Sequence, residues 1–287
     1  MCSSDLRVFG DQRDPTVQIY LPIAELPVDV LLILGMGVAV GFISGMFGVG
    51  GGFLMTPLLI FIGIPPAVAV ATQSAQITAT STTAALFYWR RGALDLKMGA
   101  LLLSGGLAGT LLGVLFFNSL RRAGQLETFI TLSYVVLLGV TGGLMLVESI
   151  RAIVVSRSGV NRPKRRGGQH QWYEGLPLKM RFHRSGLYVS VIPLLAISLF
   201  IGFAGAVLGI GGGFILVPVM IYVFRVPTQL VAGTSQFQIL FSMIAATLLH
   251  AATNQYVDIL LAALLVLGGV FGAQFGARAG AGLKAET

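Results

Sequence analysis

At 287 residues, with 55% apolar and only 10% charged residues, the chain carries too little charge to cover a water-soluble globule, for which about 25% is usual. Its formal charge of +8 does not indicate nucleic acid, because nine of the 19 Lys and Arg residues are gathered between Arg151 and Arg184. A soluble enzyme and a DNA reader are thereby excluded, and the composition points to an all-α polytopic membrane protein.

Residues 1–28 read as a polar lead-in. Met1-Cys2-Ser3-Ser4-Asp5-Leu6 resembles the translation of a sequencing-adapter end, so residues 1–6 are expected to be non-native. Cys2 is the only cysteine, which leaves no disulfide framework and no cysteine-based metal site. No apolar signal region precedes it.

Residues 29–148 form a first membrane unit. No charged residue occurs from Val30 to Trp89, and further uncharged runs follow at Met98–Leu120 and Thr128–Val147. Each run exceeds the roughly 18 apolar residues that read as a span. The apolar segments are 29–48, 52–63, 66–88, 98–117 and 125–148. Within the first lies Gly41-Phe42-Ile43-Ser44-Gly45-Met46-Phe47-Gly48-Val49-Gly50-Gly51-Gly52-Phe53. Glycine costs about 1 kcal/mol relative to alanine inside a helix, and non-helical backbone at membrane depth needs protein or a wet cavity beside it. The chain is therefore expected to unwind at Gly48–Gly52 and restart as a short helix. A restarted helix offers free N–H groups and a positive dipole end to an anion. Gly41, Gly45, Gly105, Gly109, Gly268 and Gly272 are instead expected to let helices pack closely. Asp95 and Asp258 stand where helix starts are expected, and capping is their expected role.

Residues 149–186 read as a basic cytoplasmic connector obeying the positive-inside rule. His170, Trp172 and His183 show no metal-ligand spacing and read as loop residues.

Residues 187–287 form a second unit, with apolar segments at 187–209, 212–224, 228–250 and 257–277. Gly202-Phe203-Ala204-Gly205-Ala206-Val207-Leu208-Gly209-Ile210-Gly211-Gly212-Gly213-Phe214 repeats the first glycine motif at an offset of 161, with Pro57 matching Pro218 and Pro66 matching Pro227. With one extra residue Thr72 and Gln76 fall on Thr234 and Gln238; with two, Asp95 falls on Asp258. Two homologous repeats follow from this. The second has no counterpart of 125–148, so the natural protein is expected to be longer than this chain. Loops of unlike charge at equivalent positions (Arg90, Arg91 and Lys97 against the uncharged His250–Val257) favour an inverted over a parallel arrangement of the repeats.

Paired interrupted spans mark a central transporter site. The residues expected to bind substrate are Gly48, Gly50, Gly51 and Gly52 with Gly209, Gly211, Gly212 and Gly213. Two polar clusters join them: Thr72, Gln73, Ser74 and Gln76, and Thr234, Ser235, Gln236 and Gln238. Their hydroxyls and carboxamides must find partners inside the bundle; helix–helix hydrogen bonding is the alternative use. Gly48–Phe53 does not fit a dinucleotide fingerprint, and no Walker lysine, H-E-x-x-H or carboxylate pair is present, so no enzyme chemistry and no cofactor is expected. His250, near a span end, is a candidate proton carrier.

The doubled motif, with Pro57, Pro218 and Thr234-Ser235-Gln236, resembles the sulfite exporter TauE/SafE family of anion permeases from about residue 30 onward. The resemblance implies an inner-membrane secondary transporter moving a small sulfur oxyanion or organosulfonate, with one half rocking against the other. The expected partners are that anion and the lipid bilayer, not nucleic acid, and a homodimer is compatible with the sequence. A passive anion channel and a non-transporting scaffold are the rival readings.

Overall fold

The structure is a computed structural model that describes residues 18–47, 51–157, 179–182, 187–224, 226 and 228–283. Gly48, Gly50, the first six residues, His170, Trp172, His183 and most of the basic connector lie outside them. The fold is mostly helical. A hairpin of β1 (Gln18–Leu21) and β2 (Leu26–Asp29) leads into α1 (Val30–Phe47), α2 (Gly52–Phe61), α3 (Pro66–Arg90), α4 (Leu96–Arg122) and α5 (Leu126–Arg157). A second hairpin, β3 (Lys179–Phe182) and β4 (Leu187–Ser190), precedes α6 (Val191–Leu208) and α7 (Gly213–Pro218). A π-helical turn at Val219–Val223, α8 (Thr228–Thr253) and α9 (Ile259–Leu283) complete the chain.

The all-α expectation therefore needs two additions. The lead-in is partly a hairpin, because alternating Ile19, Leu21, Leu26 and Val28 bury one face while Gln18 and Tyr20 stay out. Residues 187–190, expected as the start of a span, are strand, and Ser190 caps α6 by accepting from the Ile192 N–H.

Among the described residues, five helices are long and apolar enough to cross a membrane: α4, α6, and the stretches Leu126–Gly143, Leu230–Thr253 and Ile259–Gly276. The burial pattern reverses that of a soluble protein. Leu111, Leu115, Leu132, Val135, Leu248, Leu267, Phe271 and Phe275 face outward, while Thr72, Gln73, Gln76, Thr234, Ser235, Gln238 and His250 are buried. Outward apolar side chains suit lipid, and inward polar ones must be satisfied within the bundle. The polar helix α3 is accordingly the one most enclosed, with thirteen buried residues.

Glycine decides which helices touch. Helices α1 and α9 run side by side in the same direction: the Leu34, Val38 and Phe42 carbonyls lie against Gly268, Gly272 and Gly276 in turn. A Cβ on Gly268 would sit 2.7 Å from the Leu34 oxygen. Helices α4 and α6 repeat the arrangement, with the Leu195, Leu199 and Phe203 carbonyls against Gly105, Gly109 and Gly113. Such close backbone approach is what small residues permit, and packing is the main attraction between helices in lipid.

The chain's two faces can be traced from its contacts. The first hairpin meets the α8–α9 turn, where the Ile23 N–H donates to Asp258 Oδ2 at 3.0 Å. Gly63, just after α2, lies beside Leu26, so α2 returns to the hairpin face from which α1 departed. On that same face Arg121, at the end of α4, meets Asn254. The α3–α4 turn is on the opposite face, where Gly233 approaches the Ala93 carbonyl.

Candidate functional site

Helix α6 stops because Gly209, Gly211 and Gly212 take positive φ angles of 66°, 74° and 79°, a region where a side chain collides with its own backbone. Helix α7 restarts at Gly213 with Gly212 as its N-cap. In the first half the restart is at Gly52, and its N-cap Gly51 keeps a helical φ of −67°.

The two restarts meet. A Cβ on Gly52 would overlap the Gly209 carbonyl oxygen and Ile77 Cδ1, so only a hydrogen fits between the breaks at their closest approach. Beside them the rings of Phe53 and Phe214 stack, with centroids 4.0 Å apart and planes 3° from parallel. These two residues occupy the same place in the two copies of the glycine motif. The first turns of α2 and α7, where backbone N–H groups lack intrahelical partners, thus lie together within the bundle.

The broken end of α6 leaves backbone carbonyls that need donors from elsewhere. Three helices supply them. His250 Nε2 of α8 lies 3.0 Å from the Ala206 oxygen, the Tyr134 hydroxyl of α5 donates to the Leu208 oxygen, and Thr56 of α2 reaches the Gly209 oxygen at 3.5 Å. Sequence reading missed Tyr134 and Thr56, since each sits in an apolar run that looks like lipid-facing or core sequence.

The polar clusters divide by what their atoms already do. Thr72 Oγ1 accepts from the Asp258 N–H at 3.1 Å, and Thr234 Oγ1 accepts from the Asp95 N–H at 3.2 Å. Each threonine therefore ties the start of a long helix to the core. Asp95 Oδ1 in turn accepts from the Lys97 and Met98 N–H groups, and Asp258 Oδ1 from those of Leu260 and Leu261, which caps α4 and α9. Ser74 donates to the Val70 carbonyl and Ser235 to that of Ala232, both within their own helices. Gln236 is also engaged.

The three remaining glutamines keep unused capacity. Gln73 and Gln76 share one hydrogen bond from the Gln73 amide, leaving Gln73 Oε1 and Gln76 Nε2 buried without a partner. Gln238 Nε2 donates to Ser242 Oγ at 3.1 Å while its Oε1 is unpartnered. Gln76 lies against Gly269 in α9, and Gln238 against Gly106 in α4. The structure thus joins Gly52 to Gly209 and Ile210, sets Gly51 against Val40 and Ser44 of α1, and sends Gln76 and Gln238 toward different helices. Among the described residues no group of three or more His, Cys, Asp or Glu could hold a metal.

A family model described as "Sulfite exporter TauE/SafE" matches residues 33–287. The "Probable membrane transporter protein YunE" of Bacillus subtilis is 26% identical over 265 residues, covering 90% of each chain. Another B. subtilis protein, "Probable membrane transporter protein YjnA", is 28% identical over 249 residues, covering 86% of this chain and 88% of its own. A "Probable membrane transporter protein" of Xylella fastidiosa is 28% identical over 257 residues, 86% of this chain and 83% of its own. No solved structure is significantly similar. With the family match running over nearly all of the membrane-embedded sequence, the chain belongs to the sulfite exporter TauE/SafE family of membrane transporters.

Proposed function

We propose that the protein is an inner-membrane secondary transporter that exports a small sulfur-containing oxyanion or organosulfonate such as sulfite. The observation that carries this reading is the meeting of two interrupted helices at Gly52 and Gly209 inside the bundle, a position where helix N-termini suit an anion without a fixed cation. The name of the family supplies the sulfur oxyanion. The anion is held by the backbone N–H groups around Gly51–Phe53 and Gly211–Phe214, once the breaks move apart. Gln76 supplies a side-chain hydrogen bond, since its Nε2 is a buried donor with no other partner and such an atom is costly to leave unpaired.

The halves are read as inverted repeats with the first hairpin in the periplasm. Support comes from the glycine seams, in which Leu34, Val38 and Phe42 in one have counterparts 161 residues on in Leu195, Leu199 and Phe203 of the other. Further support comes from helix direction. Helix α4 runs parallel to α6 and returns to the face where α1 began. Arg90, Arg91 and Lys97 then fall on the cytoplasmic face.

This arrangement alters the expected motion. Each seam pairs a helix of one half with a helix of the other, so one half cannot rock against the other without tearing both seams. The moving bodies are the α1–α9 pair and the α4–α6 pair, with α3 and α8 between them. Uptake and efflux in proteoliposomes with sulfite, thiosulfate, sulfoacetate, taurine and lactate test the function. Saturable, uphill movement of a sulfur anion is expected; movement of none of them refutes it.

A further inference from the structure

One buried hydrogen-bonded chain plays no part in the reading above. On the hairpin face, Arg121 Nη1 of α4 donates to Asn254 Oδ1 at 3.1 Å, and its guanidinium lies 4.6 Å from the centre of the Tyr256 ring. Asn254 Nδ2 lies 3.1 Å from His250 Nδ1, and His250 Nε2 lies 3.0 Å from the Ala206 carbonyl oxygen of α6. His250 is fully buried and Asn254 nearly so, whereas Arg121 is exposed.

Chemistry fixes every proton in this chain. A carbonyl oxygen only accepts, so His250 must carry its proton on Nε2. Its Nδ1 is then an acceptor, which Asn254 meets with its NH₂ group. A guanidinium only donates, so Asn254 must offer Arg121 its oxygen. The network is satisfied for neutral His250 and for that tautomer alone.

A second proton on Nδ1 cannot be absorbed in place. Nδ1–H would face the Asn254 NH₂ group, donor against donor. Turning the amide over gives Nδ1–H an oxygen, but it sets the NH₂ group against Arg121, so that the exposed guanidinium loses its acceptor on Asn254 and turns to water. Asn254 can therefore satisfy Arg121 or an imidazolium, never both. The surrounding groups do not relieve the conflict. Phe117 of α4 packs its ring 4.6 Å from that of His250, and the nearest ionisable groups elsewhere in the network's neighbourhood are committed: the Tyr134 hydroxyl of α5 donates to the Leu208 carbonyl, and the Asp258 carboxylate accepts from Ile23, Leu260 and Leu261. The positive charge of Arg121 itself adds to the pressure to separate.

We infer that His250 is the coupling-proton site of the transporter and that Asn254 is the latch it operates. The latch joins α4, which belongs to the α4–α6 pair, to the turn entering α9, which belongs to the α1–α9 pair. One proton taken up from water on the hairpin face breaks the Asn254–His250 bond, turns the amide and releases Arg121. The two bodies are then free to part on that face, while Nε2–H still holds the end of α6. At the register that aligns Thr72 with Thr234, the first half has Tyr88 in place of His250, so the device occurs once and is not a by-product of the repeat.

The inference rests on the transport reading, so its test has two arms. In proteoliposomes of the full chain, sulfite exchange without a gradient and sulfite accumulation driven by a pH gradient are measured for wild type, His250→Gln and Asn254→Asp. Glutamine can still donate to the Ala206 carbonyl but cannot titrate, so the ratio of driven accumulation to exchange is expected to fall at least tenfold. The carboxylate of Asn254→Asp accepts from Arg121 and Nδ1–H at once and is expected to hold the latch closed at acid pH. A wild-type ratio in His250→Gln overturns the proposal, as does equal loss of both activities, which marks a structural residue. In the second arm, ¹⁵N spectra of the imidazole are recorded against pH, with His250→Gln identifying the signal. An Nε2–H tautomer that gains a second proton on acidification, and whose titration moves in Asn254→Asp, supports the latch even if sulfite is not transported. A ring that does not titrate, or ignores Asn254→Asp, overturns it.

Discussion

Gly51 and Gly212 occupy equivalent places in the glycine motif, yet alanine should act very differently at the two. Gly212 has φ of +79°, and a Cβ there would overlap Ile201 Cγ2. The left-handed conformation costs an alanine about 1–2 kcal/mol, and forcing a methyl into filled space costs about 1–3 kcal/mol. Gly212→Ala should therefore lose about 2–5 kcal/mol. Gly51 has φ of −67°, and its nearest neighbour would be Val40 Cγ1 at 3.3 Å, a side-chain atom that can yield. Alanine is a poorer N-cap than glycine but costs the unfolded chain less entropy, so the net change should stay within about 1 kcal/mol. Thermal unfolding of purified protein in one detergent, followed by tryptophan fluorescence, separates the two. The reasoning fails if Gly212→Ala melts within about 1 °C of wild type, or if Gly51→Ala loses as much as its counterpart. The same pair speaks to transport. Gly51→Ala folds but narrows the N–H cradle, and sulfite exchange should drop by more than its stability accounts for.

Thr72→Val and Thr234→Val keep shape but remove the acceptor for a buried N–H; each should cost about 1–3 kcal/mol, read as a lower unfolding temperature, and an unchanged value would assign those hydroxyls no anchoring role. Phe53→Ala and Phe214→Ala should be coupled by about 0.5–1.5 kcal/mol in a double-mutant cycle, and additive losses would mean that the stacked pair contributes only through burial. In a Cys2→Ser background, cysteine at Gln125 should react with an impermeant maleimide added to intact cells, and cysteine at Lys97 only after lysis; labelling of both from outside would reject the inverted arrangement.

Much of this fold was readable beforehand because lipid imposes few solutions. The uncharged runs gave most helix starts to within a few residues, though α5 runs nine residues past the expected end at 148 and α9 six past 277, and Asp95 and Asp258 marked two helix starts, since a carboxylate in an apolar run has few other uses. The second glycine triplet gave the break after α6, and Gly52 the restart of α2. What could not be read was partnership. Gly105, Gly109 and Gly113 say that some backbone comes close along that stripe, but nothing in their spacing says that it belongs to α6. Thr72 and Thr234 likewise announced a need for partners without naming them, and their hydroxyls turn out to hold helix starts. The hairpin at residues 18–29 was hidden by its brevity, for Gln18, Pro22, Glu25 and Pro27 make so short an alternation look like plain polar sequence.

The seam between α1 and α9 also governs how the protein comes into being. Helix α1 precedes the other described helices in the chain, yet the backbone its glycine stripe fits against belongs to the last helix described, more than 200 residues later. Until that helix inserts, Gly37, Gly41 and Gly45 face lipid or a temporary companion, and α4 must wait in the same way for α6. Both seams are therefore closed only when helices of the second half arrive. Damage there should be felt at the amino end, as failure of α1 to settle, rather than as local loss. The two halves made as separate chains should each be short-lived alone and should protect one another when produced together.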